Sequence, residues 1–529
     1  MQPKPETAID AWISYQVKRI WTLIYNLFKH IMKTIKSIIT VFLILHFHLL
    51  MAQQESIFGI FNNHSDIGDV KIDGTISYVP QSDEYILGGS GENLWFNNDE
   101  FHFLWKTMEG DFVIYAKVAL ISDNVEPHRK AGIMIRQSLE TNAPYVDAVV
   151  HGDGLTSLQY REKINGETAE IQANIDSADV MQLERKGNQF IMSGAREGDP
   201  LKEFARYELK MGNSVYAGLM VCAHNEYTFQ QAKFNNVRIF IRAEEANENS
   251  REGVTSLLEA IDIQTMNRHV IKKFDELIEA PNWSGKEPAL IYNSQGNLYK
   301  IDLMGGEPVQ INTGSLIRLN NDHGISPDQK WIAVSNSDDN VGSRVYILPY
   351  EGGAPQLVTE NAPSYWHGWS KDSKTVAYVA GRGGSSYNIY TSKRNGGKEK
   401  ILTDTNCLDD GPDYSPSGKK IYFNSCRNGT MQIWRMNADG SDQEQVTFDD
   451  YQDWFPHPSP DGKWILFISY SDEVAPGNHP PNKNVMLRMM PADGGNIQVI
   501  AHLYGGQGTI NVPSWSPDSK KVAFVSYTY

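Results

Sequence analysis

Cysteine is scarce in this chain of 529 residues: Cys222, Cys407 and Cys426 are the whole supply. No C-x-x-C, G-x-S-x-G, H-E-x-x-H or Walker motif occurs, which removes the dithiol, the serine-hydrolase elbow, the zinc-protease helix and the P-loop. "GRGGSS" at Gly381 has the composition of a phosphate cradle, but a strand rather than a helix follows it. "NADGSDQ" echoes a calcium loop without the terminal Glu. Basic residues are in deficit, 48 against 64 acidic, for a net charge of −16. Such acidity opposes non-specific binding to nucleic acid or to an anionic membrane surface.

Long apolar runs are lacking too, with one exception. From Met32 the chain reads "MKTIKSIITVFLILHFHLLMAQQ": two lysines, an apolar run over Ile38–Met51, and Ala52. This layout predicts a secretory signal over 32–52, cleaved after Ala52, with residues 1–31 an upstream extension and either Met1 or Met32 the start. The run is shorter than the ~20 apolar residues that span a bilayer. An uncleaved anchor is the alternative, and no Cys follows for a lipid anchor. Removing residues 1–52 takes away six basic and two acidic side chains and leaves a net charge of −20. The expected mature chain is periplasmic or secreted, without a membrane span. Export permits a disulfide between Cys407 and Cys426; two buried thiols are the other reading.

The body is rich in turns, with 43 Gly and 24 Pro, and is too long for one core, so at least two domains are expected. "SPDQKWIAV" at Ser326, "SKDSKTVAY" at Ser370, "SPSGKKIYF" at Ser415, "SPDGKWILF" at Ser459 and "SPDSKKVAF" at Ser516 recur at spacings of 44, 45, 44 and 57. A period in the low forties, made of short apolar runs and tight turns, predicts propeller blades of four strands. Pro presets the first turn dihedral, Asp bonds its own backbone, and Gly or its substitute takes the awkward φ. The last repeat stops after strands A and B, whereas "LEAIDI" (258–263) and "HVIKKF" upstream read as strands C and D. Six blades are therefore predicted, one assembled from both ends of the domain, which hides the edges that an open array would expose.

On these phrases, residues 255–529 resemble the TolB-type propeller with WD40-like repeats. TolB carries a smaller α/β domain ahead of the propeller, which is missing here. In its place, residues 57–242 alternate polar and apolar residues in runs such as "GDFVIYAKV" and "KAGIMIR", predicting an antiparallel sandwich. With "LWFNNDEFHF", these phrases are similar to the concanavalin-like jelly rolls of bacterial carbohydrate-active enzymes. Residues 243–254 are charged, lack apolar periodicity and read as a linker. The expected fold class is thus all-β, a jelly-roll sandwich followed by a closed propeller.

If each Ser-Pro-Asp-Gly turn joins strands A and B on one face, the residues before A and after B emerge together on the other. Their chemistry varies from blade to blade, as a binding face requires. Trp366 and Trp454 are candidates to stack on sugar rings. Arg382, Asp409, Asp410, Asn424, Arg427 and Asn511 are candidates to bond hydroxyls or a carboxylate. His367, His457 and His479 with Gln507 offer three nitrogens and an oxygen to a divalent ion, manganese or calcium. The plainer readings are packing between blades for the Trp, ordinary hydrogen bonds for the His and a turn for the Asp pair. Trp95, Trp105, Asp147 and His151 are weaker candidates in the sandwich.

Two functions remain open. One is a non-catalytic exported module that binds glycan or an envelope protein through this face. The other rests on resemblance to oligogalacturonate lyases, which use a TolB-like propeller with a metal held by His and Gln. It implies His367 as base and His457, His479 and Gln507 as ligands.

Overall fold

The structure, a computed structural model, describes residues 12–13, 15–23, 29–30, 32–33, 57–121, 126–244, 249–384 and 386–529. It divides into two units, Met1–Gly59 and Ile60–Tyr529. In the first, residues 12–13, 15–23, 29–30 and 32–33 are helical. The predicted signal over 32–52 falls almost wholly outside the described residues. No helix among the described residues is long and apolar enough to cross a membrane.

The second unit is all-β. Its first half is a sandwich of two antiparallel sheets, each of seven strands among the described residues. In one sheet the order is Asn63–Ile67, Phe101–Glu109, Ser214–Cys222, Lys130–Arg136, Tyr145–His151, Thr156–Arg161 and Ala169–Gln172. In the other it is Lys202–Glu208, Gln189–Ala195, Val180–Lys186, Phe112–Leu120, Asn225–Phe240, Glu84–Gly91 and Thr75–Val79. The alternation read from the sequence places Ile114, Ala116, Leu183 and Met192 in the core between them.

The remainder is a six-bladed propeller. Five sheets carry four strands each, beginning at Glu279, Leu319, Ser364, Asp409 and Gln452 (blades 1 to 5), and their strands follow chain order from the axis outward. Blade 6 joins both ends of the domain: Lys521–Thr528 pairs with Thr255–Asp262, which pairs with Arg268–Phe274. A bridge from Trp515 to Val522 supplies the innermost position. The repeated turns behave as their composition dictates. Ser459 Oγ donates to Asp461 Oδ1 at 2.7 Å, and the backbone N–H of Lys463 donates to the same oxygen at 3.1 Å. The fourth turn residue is left-handed whether it is Gly or not: Gln329, Ser373, Gly418, Gly462 and Ser519 have φ from 57° to 74°.

The two domains are tied by a buried ion cluster. Glu259 of the propeller takes Arg268 Nη2 at 2.6 Å and Ser526 Oγ at 2.5 Å on one oxygen, and Arg238 of the sandwich at 3.0 and 2.5 Å on the other. Arg238 also pairs with Asp83. Beside it, Phe240 stacks on Tyr504 with centroids 5.8 Å apart. Cys407 and Cys426 form a disulfide with Cα atoms 5.7 Å apart. Cys222 is free and buried in the sandwich.

Candidate functional site: the axial funnel

Each Ser-Pro-Asp-Gly type turn connects strands A and B on one face, so the starts of the A strands gather around the axis on the other. In blades 1 to 5 strand A does not run true. The register slips between Glu279 and Asn282, Leu319 and His323, Trp366 and Gly368, Asp410 and Asp413, and Trp454 and His457. Such bulges leave a residue unpaired and turn its side chain. Ala280, Gly411 and Phe455 sit at these breaks with φ of 56°, 60° and 54°. For Ala and Phe that is a strained conformation held by its surroundings.

The bulged starts line a funnel of ≈ 420 Å³ to which every blade contributes. Glu279 comes from blade 1, Asn320, Asn321 and Asp322 from blade 2, and Tyr365 and His367 from blade 3. Asp410 comes from blade 4, Phe455 and His479 from blade 5, and Gln507 and Asn511 from the approach to blade 6. Arg251, from the segment read as a linker, completes the wall: it donates to the Gln507 carbonyl, lies 3.5 Å from Glu279 and stands 4.7 Å over the Tyr527 ring.

Two of the three funnel carboxylates have a cation. His367 Nε2 lies 3.0 Å from Asp410 Oδ1, and Glu279 faces Arg251. Burial works against charge on His367, but the Asp410 carboxylate outweighs it and raises the imidazole above its ordinary value. Burial likewise opposes charge on Asp410, and His367 overcomes it and holds that acid low. Asp322 differs. It accepts Asn320 Nδ2 at 2.6 Å, has no cation within ion-pair distance among the described residues, and is pushed up to about 6, by burial first, with Asp410 adding to it against the pull of His367. His479, its ring 4.4 Å from Trp454, is held low by burial.

Of the side chains expected on this face, His367, Asp410, His479, Gln507 and Asn511 line the funnel. Others are placed elsewhere. Trp366 and Trp454 are fully buried between blades, so neither offers a face to a sugar; the packing reading applies. Asn424 spends its carbonyl on the Phe455 N–H at 3.1 Å and its amide on Met431 Sδ. Arg382 is bonded to Glu399, Ser364 and Pro363 within its own blade. Arg427 braces buried Asp409 at 3.0 Å and lies 4.5 Å over Trp434. His457 sits below the funnel with Nδ1 3.2 Å from Asp413 and Nε2 2.8 Å from the Ile510 carbonyl, so neither nitrogen is free for a metal. The residues present therefore do not fit the expected ion. Among the described residues the one His, Cys, Asp or Glu group with converging ligand atoms is Glu92, Glu100 and Glu226, in the sandwich.

Sequence reasoning missed Arg251, Glu279, Asn320, Asn321, Asp322, Tyr365 and Phe455 as wall residues. A cue was present: Gly411-Pro412 and Pro456 lie inside strand A, and Gly or Pro within a strand marks a bulge. Reading through it, one expects His323 to face the axis. Instead His323 pairs opposite Val334 and is buried, and Asp322 faces the funnel.

The TolB beta propeller domain family matches residues 362–479. An uncharacterized protein of Agrobacterium fabrum is 46% identical over 273 residues, 51% of this chain and 92% of that protein. Tol-Pal system protein TolB of Francisella tularensis is 28% identical over 48% of this chain, a match that spans 58% of its own length. A solved structure described as a TolB candidate, from Agrobacterium tumefaciens, is 45% identical with a TM-score of 0.50, covering 52% of this chain and 99% of that one. The chain belongs to the TolB-type β-propeller family.

Proposed function

We propose that this is an exported binding protein of the cell envelope that takes an extended segment of a partner protein into its axial funnel. The observation that carries the reading is the convergence of polar side chains from around the whole ring on one ≈ 420 Å³ opening. Amides from Asn320, Asn321, Gln507 and Asn511 suit a peptide backbone, and Tyr365, Tyr387 and Phe455 suit its side chains. The Cys407–Cys426 disulfide fits an oxidising compartment, and so does the predicted leader. Relatives named for the Tol-Pal system support an envelope protein over a glycan as partner.

A uronate lyase is not favoured. His367 is drawn toward its protonated form by Asp410, which suits ion pairing rather than proton abstraction, and His457 is engaged on both sides. Photo-crosslinking from Tyr387, at the funnel, and from Lys371, on the turn face, tests the reading in envelope preparations. The funnel position is expected to yield a discrete protein adduct and the turn face none. A glycan adduct, or capture from the turn face alone, overturns it.

A further inference from the structure

We infer that the funnel reads one basic side chain, a lysine or arginine, in the segment it binds, and that Asp322 receives it. The inference deepens the peptide-binding reading above and rests on it. It follows from counting charge in a confined space. Three carboxylates face the funnel, and Arg251 with Glu279 and His367 with Asp410 account for two of them. His479 adds no charge while burial keeps it neutral. One negative charge is left over, and it belongs to Asp322.

That carboxylate is buried at 5% exposure, yet it is not spent on the fold. Its hydrogen bond to Asn320 is within the same bulge, two residues away. A buried acid that only braced the structure would be expected to carry a cation, as Glu259 and Asp99 do. His367, 3% exposed, is turned to the fold at both nitrogens, with Nε2 on Asp410 and Nδ1 toward the Asn511 backbone, so it adds no free cation for Asp322.

Around Asp322 the wall is aromatic. Tyr365 and Tyr387 lie 6.3 Å apart by ring centroid, and Phe455 stacks 5.8 Å from His367. Tyr365 is kept protonated by burial first, then by Tyr387 and by the nearby Asp322 and Asp410 carboxylates. An ammonium or guanidinium entering here meets a carboxylate and ring faces together, the pairing that desolvated cations prefer. A ligand carboxylate would meet Asp322 in a low-dielectric pocket and be rejected.

The test uses the full chain and ligand-observed NMR with Nα-acetyl-lysine amide, Nα-acetyl-arginine amide, the Nε-acetylated lysine probe, the glutamate probe and glucosamine. The two basic probes are expected to bind at least about tenfold tighter than the acetylated one, the worth of one buried charge-assisted bond. Asp322→Asn is expected to abolish that preference while a thermal melt shows it folded. Lowering the pH through Asp322's range should erode the preference in the native chain. Arg251, Glu279, His367, Asp410 and His479 face the same space, and the Asn variant isolates Asp322 from them. Equal binding of charged and acetylated probes overturns the inference but leaves peptide binding intact. Tight binding of glucosamine alone overturns both the inference and the peptide reading. Silence from every probe together with no funnel crosslink overturns both.

Discussion

Two buried charge clusters in this molecule were built to opposite specifications. At the domain junction each oxygen of Glu259 accepts at least two hydrogen bonds, and both Arg238 and Arg268 are matched. In the funnel, Asp322 accepts an amide and, among the described residues, has no cation within ion-pair distance. The first cluster is closed upon itself and holds two domains in one geometry. The second is left open, a cost in stability that only a ligand can offset. The difference separates structure from function more sharply than burial does, since Glu259 and Asp322 are both buried.

Opposite pKa directions follow, and with them the largest expected effect. Burial would lift Glu259, but Arg238 and Arg268 bring it down to about 2 from 4.5. A lowered acid adds stability that is complete above the unfolded value of 4.5 and is lost as pH falls through about 2. Glu259→Gln leaves Arg268 without its anion and Arg238 with Asp83 alone, and is expected to cost about 3–5 kcal/mol in denaturant unfolding near neutral pH. The cost should shrink in acid, where Glu259 itself is protonated. A constant cost across pH would mean that shape, and not charge, holds the junction.

Next in size is the disulfide. It closes a sequence separation of 19 and fastens the loop that carries Leu408 and Asp410 to the end of strand B in the same blade. Reduction, or the Cys407→Ser and Cys426→Ser pair, is expected to cost about 3 kcal/mol, within the range for loops of this length. Because that loop is funnel wall, affinity for a basic probe should fall as well. Glu259→Gln, by contrast, should leave the affinity of the folded fraction unchanged.

Much of this architecture was legible in the sequence, and the reason is periodicity. The Ser-Pro-Asp-Gly phrase fixes one turn per blade, and "LEAIDI" at the front of the domain reads as the missing strand C of the last repeat, which is where Thr255–Asp262 lies. The face on which the loops gather was legible too, since loop position follows from turn position. Individual side chains were less so. Trp366 and Trp454 were expected on the face as residues ahead of strand A, but both lie within the bulged strand, where they turn into the blades while Tyr365 and Phe455 face the funnel. Arg251 was invisible for another reason: its segment has no pattern of its own and is ordered by what it touches, Glu279 and Tyr527.

Asp322→Asn sharpens the comparison with the opposite sign. Its carboxyl is raised to about 6 from 3.8. A raised acid favours the fold below the unfolded value of 3.8, and that benefit is lost as pH climbs through about 6. Removing the ionisation should therefore stabilise the chain at neutral pH, by about 1–3 kcal/mol, with no gain near pH 3.8. A variant both more stable and worse at binding is the mark of a group retained for its ligand. Destabilisation at neutral pH would place Asp322 with Glu259 among the structural acids.

The smallest effect concerns the bulges that aim the wall. Ala280 opens blade 1 in the left-handed conformation that Gly411 takes in blade 4, and its N–H donates to the Gly508 carbonyl at 2.7 Å. A left-handed Ala costs about 1 kcal/mol relative to Gly, and burial of one methyl returns part of that. Ala280→Gly is thus expected to gain about 0.5 kcal/mol in thermal or urea unfolding and to leave probe affinity as it was. A larger gain would mean that the methyl crowds its neighbours. A loss of affinity would mean that the strained backbone, and not only the side chains it carries, sets the position of Glu279 and through it Arg251.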